Sequence, residues 1–477
     1  MKRRDFFKNA ALTAAGVAIL SPQQAISQTT GLLQVGPRFK KAKNIIFMVS
    51  DGMSMGTFQM ANVLKERKEG VSSHWVNLYQ QGKVSRGMMD MASADGIVTD
   101  SSAASSSWGG GVRVNNGSVN VSPDGTHNKP ILQKFKAAGK AVGCVTTVEI
   151  THATPSGFSL SSQSRNDMAL FATMHAELGF DVLLGGGREY FDGSMRRDKQ
   201  DLFGKFTEKG YRVAQTRDDL LSFDQTNENK PILGIFNTGA LPYALDRANN
   251  PELSARTPSL AEMTTSAIRH LSRHPKGFVM QVEGGKVDWA AHANDVGALL
   301  YDQLAFDDAV AAAIAFAEKD GETLVILTTD HGNSNPGLYM SSRANRNFER
   351  IFQQKHTNDW VLQGIDRSFT VDQVRERLEY AQGIQITSAE AMSLLGHYVT
   401  ERNEKGLYDP YSLPFRDLAR MQEKYTSVSW GGTNHTGDYV EIAAFGPGRE
   451  LLPSFVRNTQ IHQLLLEAAE VPSKFRV

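Results

Sequence analysis

The chain has 477 residues, of which 40% are hydrophobic. That is enough to bury a large core, and it allows either one large α/β domain with insertions or several small domains. Its 51 basic and 51 acidic residues cancel, so the basic surplus expected of a specific nucleic-acid binder is missing. A single cysteine, Cys144, excludes an intramolecular disulfide framework.

The N-terminus reads as an address. Lys2-Arg3-Arg4-Asp5-Phe6-Phe7-Lys8 precedes a modestly apolar run from Ala10 to Leu20, then Pro22 and the small-residue stretch Ala25-Ile26-Ser27. This is the pattern of a signal peptide over residues 1–27, and its adjacent arginines are similar to those of bacterial twin-arginine signals. The apolar run falls well short of the ~20 residues that a spanning helix needs. The expectation is cleavage near Ser27 and export, to the periplasm or beyond, of a protein not integral to a membrane. Without the leader, 47 basic and 50 acidic residues remain.

Apolar runs then alternate with helical patterns. Asn44 to Val49 predicts a buried strand and is followed by Ser50-Asp51-Gly52. Val98-Thr99-Asp100-Ser101-Ser102-Ala103-Ala104 sets a serine beside a carboxylate at the start of a small-residue run, where a helix could begin. Pro130 to Ala138 has helical composition with proline at its start. Ala141 to Thr146 predicts a strand in which Cys144 is a buried, inert thiol. Strands follow at Val182 to Leu184, Phe278 to Val282, Thr323 to Thr328 and Val440 to Phe445, with helices at Ser259 to Arg273 and Val296 to Glu318. The expected fold class is α/β: a large, mostly parallel sheet flanked by helices on both faces.

Asp51, Glu283 and Asp330 each fall at or just beyond the end of a predicted strand, where open α/β sheets present their ligand sites. If these carboxylates converge, their repulsion raises one or more pKa values unless cations neutralise them. Asp288 and His292 stand four apart, a spacing that lets both reach one ion from a single helical face. Thr329-Asp330-His331-Gly332 and Asn434-His435-Thr436-Gly437 add further ligand types. A serine hydroxyl is a poor nucleophile near neutral pH, and a coordinated metal would activate it. The motifs together point to a metal-assisted phosphate site.

In these motifs, and in their order from about Asn44 to Gly448, the chain resembles the alkaline phosphatases. The resemblance implies a homodimeric α/β metalloenzyme that hydrolyses small phosphomonoesters with two zinc ions and one magnesium, through a phosphoserine intermediate. Ser101, after Asp100, would be the nucleophile, with Ser102 as the alternative that the doubled serine leaves open. Asp288, His292 and His435 would hold the first zinc. Asp330 and His331 would hold the second, which would also touch Ser101 and Asp51. Asp51, Glu283 and Thr154 would form the magnesium site, an all-oxygen set that suits that ion. Arg165 would grip two phosphate oxygens in a bidentate contact. Asp100, His152 and Trp289 would stand behind these groups, and the last two occupy positions that vary within the family.

Residues 335–431 separate His331 from His435 by more than in the simplest bacterial relatives. Thr370 to Ala381, Ser388 to Asn403 and Phe415 to Thr426 have helical composition, so this span is expected to be a helical insertion, a lid or crown, in one catalytic domain over residues 28–477. The competing readings are a phosphodiesterase or sulfatase-like hydrolase on the same scaffold, and a non-catalytic exported protein that binds phosphate or metal. The sulfatase Cys/Ser-x-Pro-x-Arg motif is missing, which weighs against the first.

Overall fold

In the computed structural model, residues 39–226, 228–403 and 406–475 are described. The expected leader over 1–27 lies outside them. Ten strands form one sheet: β1 (Asn44–Ser50), β2 (Val84–Asp90), β3 (Ala141–Glu149), β4 (Val182–Gly186), β5 (Arg212–Ala214), β6 (Ile232–Ile235), β7 (Phe278–Gly284), β8 (Thr323–Thr328), and the later Val440–Phe445 and Phe455–Arg457. Between β8 and Val440 lie two-residue strands β9 (Gly332–Asn333), β10 (Gly337–Leu338), β11 (Val428–Ser429) and β12 (His435–Thr436), so Val440–Phe445 is β13 and Phe455–Arg457 is β14. The order across the large sheet is β14-β2-β13-β8-β1-β7-β3-β4-β6-β5. Only β13 runs against the rest, antiparallel to both β2 and β8.

β1 sits between β7 and β8 in parallel register, with Val49 opposite both Glu283 and Thr328. All seven of its residues are buried, as befits a strand covered on both faces. Its side chains alternate between two cores. Ile46 and Met48 join the cluster that includes Val310 and Phe306 of the Val296–Asp320 helix, while Ile45, Phe47 and Val49 join the one that includes Trp108 and Phe135. Period-two alternation of apolar residues thus fills both faces. Among the described residues no helix is long and apolar enough to cross a membrane.

The span between β10 and β11 carries its own core of Val361, Leu362, Val374, Leu378, Leu394 and Leu418, among others. Its helices include Asn358–Gln363, Val371–Gln382, Ser388–Leu395 and Phe415–Thr426. Two begin with reciprocal caps, Thr370 with Gln373 and Thr387 with Glu390. The Ser388 helix is shorter than its composition suggests. It stops at Leu395, with Gly396 as its C-cap.

The parallel topology gathers the site. The C-terminal ends of β1, β7, β8 and β3 lie side by side in the sheet, so the residues that follow each one converge at one edge.

Candidate active site

Asp51 follows β1, Glu283 is the second-last residue of β7, and Asp330 and His331 follow β8. All four are buried. Three sets of side chains bring their ligand atoms within 4.8 Å of one another: Asp288, His292 and His435; Asp51, Asp330 and His331; and Asp51, His152 and Glu283. Each set could hold a cation. His152, expected to stand behind the third site, lies among that site's possible ligands.

Hydrogen bonding is asymmetric at each carboxylate of the second and third sets. Asp330 Oδ1 accepts the N–H groups of Gly52 and His331, both at 3.0 Å, while its Oδ2 has no hydrogen-bond donor among the described residues. Glu283 Oε2 accepts the Thr146 hydroxyl at 2.5 Å and Oε1 is without a partner. Asp51 Oδ2 accepts the Thr154 hydroxyl at 3.4 Å and Oδ1 is without a partner. Buried oxygens left without hydrogen are costly, and here the three carboxylates that bear one belong to the two sets that share Asp51. His331 Nε2 comes within 3.1 Å of Asp330 Oδ2 and 3.6 Å of Asp51 Oδ1.

The first set shows the same design through its imidazoles. His292 Nδ1 faces the Thr433 carbonyl at 2.7 Å, and His435 Nδ1 faces the Thr99 carbonyl at 3.0 Å. A carbonyl only accepts, so both Nδ1 atoms carry hydrogen, and each Nε2 presents a lone pair whenever its ring is neutral. Those two Nε2 atoms are 3.1 Å apart, an approach that needs a cation or a proton between them. Asp288, the third member, takes the Asn333 amide on Oδ1 at 2.7 Å. Such outer contacts orient metal-ligating side chains. Gly52 is required where it stands, with a positive φ of 67°, since a Cβ there would meet Asp288.

Charge tells the same story. Burial, with Asp330, Asp288 and Glu283 close by, pushes the Asp51 carboxyl well above its usual range. Burial likewise pushes Glu283 up to about 7. Asp330 and Asp288 are held below the usual range in spite of burial, Asp330 by His331 and Asp288 chiefly by His292. Burial lowers His435 to about 4 and His152 to about 3. A cluster of acids this crowded and this dry is fitted to multivalent cations.

Asp100 caps the Ser101–Gly109 helix, accepting the Ala103 N–H at 2.8 Å. The two adjacent serines point differently. Ser102 Oγ is held by both oxygens of Asp100 at 2.9 Å, whereas Ser101 Oγ lies 3.2 Å from His331 Nε2. Arg165 donates one N–H to Asp100 Oδ2 at 2.9 Å, and the rest of its guanidinium makes no side-chain hydrogen bond among the described residues. Trp289, partly exposed, sets its ring edge-on to His152 with centroids 6.1 Å apart. Asn333, Thr146 and the carbonyls of Thr99 and Thr433 escaped the sequence reading. Their roles depend on tertiary contacts that leave no local pattern.

The family model described as alkaline phosphatase matches residues 42–471. The chain belongs to the alkaline phosphatase family. Over 423 residues it is 31% identical to alkaline phosphatase 4 of Bacillus subtilis (strain 168), covering 87% of this chain and 86% of that one. Alkaline phosphatase 3 of the same organism is 31% identical over 436 residues, 90% and 89% of the two chains. The crystal structure of Thermus thermophilus alkaline phosphatase superposes with a TM-score of 0.83 at 30% identity, covering 95% of this chain and 96% of that one. The protein is therefore a phosphatase that hydrolyses phosphate monoesters, and its family implies divalent metal ions that the three ligand sets can accommodate.

Proposed function

We propose that this alkaline phosphatase works through a phosphoserine on Ser101. The observation that carries the reading is the direction of the Ser101 hydroxyl, toward His331 and away from Asp100. Two zinc ions would be held by Asp288, His292 and His435 and by Asp330, His331 and Asp51, and a magnesium by Asp51, Glu283 and Thr154, with His152 beside it. The unpartnered oxygens of Asp51, Glu283 and Asp330 support that assignment. When bound, such cations supply Lewis acidity that lowers the pKa of a serine hydroxyl and offsets charge on a phosphoryl group.

Ser101 Oγ, as the alkoxide, attacks phosphorus in line with the departing alcohol, forming the Oγ–P bond as the ester P–O bond breaks. Water then cleaves the phosphoserine by a second in-line displacement and releases inorganic phosphate. The unused N–H groups of Arg165 hold two non-bridging oxygens, and the ion pair with Asp100 keeps the guanidinium beside the serine. As N1 of its helix, Ser101 also sets the phosphoryl group against free backbone N–H groups.

The same reading makes the protein an exported homodimer with a twin-arginine leader over 1–27, one catalytic domain over 28–477, and residues 335–431 as a lid or crown. The test is turnover of 4-nitrophenyl phosphate against bis(4-nitrophenyl) phosphate, with and without chelator. The monoester should be preferred by orders of magnitude, with loss of turnover on chelation that zinc and magnesium reverse. Preference for the diester would sink the assignment.

A further inference from the structure

Behind the third ligand set stands Thr146, a wholly buried residue of β3. β3 runs parallel to β7 with Thr146 opposite Glu283, and side chains at paired positions leave the sheet on the same face. The two therefore meet. Thr146 Oγ1 donates to Glu283 Oε2 at 2.5 Å.

A threonine hydroxyl carries one hydrogen and can also accept. Here it accepts the Val148 N–H at 3.0 Å, which leaves its own hydrogen for Glu283. The γ-methyl is held as well, since it sits over Gly185 of β4, where a Cβ would come within 2.9 Å of it. Strand pairing, a backbone N–H and the missing side chain at residue 185 thus fix one hydroxyl on one carboxylate oxygen.

A short O–H···O⁻ bond is of the strong, charge-assisted kind, and an oxygen that accepts one is a poorer ligand for a cation. Glu283 Oε1 has no hydrogen-bond donor. Thr154 and Asp51 also neighbour Glu283, but both belong to the proposed magnesium set and neither occupies Oε1. Glu283 therefore offers one oxygen, not two, to the set it forms with Asp51 and His152. One oxygen per carboxylate suits magnesium, which demands a near-ideal octahedron, whereas calcium is larger, takes up to about eight oxygens and often uses both oxygens of a carboxylate. We propose that Thr146 is a positioning residue that keeps Glu283 to a single donor oxygen and so makes the third site select magnesium over calcium. The role rests on the magnesium set proposed above.

The test is isothermal titration calorimetry of magnesium and of calcium into wild type, Thr146→Val and Thr146→Ser, each loaded with two equivalents of zinc. Valine keeps the shape of the side chain and removes the hydroxyl; serine keeps the hydroxyl. Thr146→Val should weaken magnesium binding by roughly ten- to a hundredfold, as the loss of an outer contact to a metal ligand does. Calcium binding should weaken by less than about threefold, because the freed Oε2 then serves the larger ion. Thr146→Ser should stay within about threefold of wild type for both ions. An unmoved magnesium Kd in Thr146→Val, equal losses for the two ions, or a Thr146→Ser that follows Thr146→Val would overturn the role, since a merely structural threonine gives those patterns. Should Thr146→Val not fold, wild type and Thr146→Ser decide: a preference for magnesium in both supports the role, and a magnesium Kd no lower than the calcium Kd in either overturns it. A zinc-loaded wild type that binds no magnesium would overturn the magnesium set itself and leave the Ser101 reading standing.

Discussion

At the scale of single residues, the pair Ser101 and Ser102 shows what a linear motif leaves open. Both follow Asp100 in the same small-residue run, and only the folded helix start gives them different neighbours: Asp100 for Ser102, His331 for Ser101. Ser101→Ala should therefore abolish a phosphoenzyme trapped at acid pH while leaving fold and metal content near normal. Ser102→Ala should retain the phosphoenzyme; the reverse pattern, read by acid quench with labelled phosphate, would move the nucleophile by one residue. Arg165 gives a second contrast. It touches Asp100 and none of the possible metal ligands, so Arg165→Ala should keep bound metal yet lower kcat/KM by roughly ten- to a hundredfold, the loss of a charged bidentate contact. Weaker inhibition by inorganic phosphate should accompany it. An unchanged phosphate inhibition constant would make Arg165 a structural partner of Asp100 only.

At the scale of elements, the helical span is tied to the body through Asp295. This residue caps the Val296–Asp320 helix by accepting the Ala298 N–H at 3.0 Å, and it also accepts the Asn358 N–H at 2.5 Å. Burial nevertheless pushes its carboxyl from 3.8 up to about 7. A folded pKa above the unfolded one means that the folded state binds the extra proton, so the stability it contributes is present below the unfolded value and is lost as pH rises through the folded one. Asp295→Asn keeps a good capping residue and removes that titration. Its Tm relative to wild type should therefore rise as pH goes from about 4 to about 8; a Tm difference independent of pH would mean that Asp295 stays ionised in the fold. The elements also show what was legible beforehand. β1 and β8 could be read because each holds an unbroken apolar run, β13 because only Glu441 interrupts its apolar residues, and Phe415–Thr426 because its polar and apolar residues follow the helical period. The half-exposed β2, with the sequence VSRGMMD, and the three-residue β5 could not, since pairing with β13 and β6 rather than local pattern makes them strands. The antiparallel direction of β13 was equally invisible. In the site, residues that bear ligand atoms stood out by type and spacing, whereas Asn333 and Thr146 are ordinary until the chain brings them to Asp288 and Glu283.

At the scale of the whole molecule, the sheet concentrates negative charge at one edge and leaves it for cations to offset. Asp51, Glu283, Asp288 and Asp330 come from segments up to 279 positions apart in sequence, and the strands that present them are the middle of the sheet. Holding them together without metal means burying mutually repelling carboxylates, and two of these, Asp51 and Glu283, are pushed upward in pKa for that reason as well as for burial. Both raised groups favour the folded state when protonated. The stability they contribute without metal is present below the unfolded carboxylate range, and it is lost as pH rises through the folded value, about 7 for Glu283. Cations act in the opposite sense, since they bind the deprotonated ligands and stabilise the fold by mass action, by about 4 kcal/mol for each site at roughly 1,000 times its Kd. Chelator-treated protein should therefore unfold at a lower temperature than the zinc- and magnesium-loaded form, and the gap between the two should widen from about pH 5 to about pH 8. Differential scanning calorimetry on the two forms across that range measures it. Coincident melting curves, or a gap that narrows with rising pH, would mean that the acidic edge is neutralised by the protein's own histidines, and the metal assignment at Asp51 and Glu283 would fall.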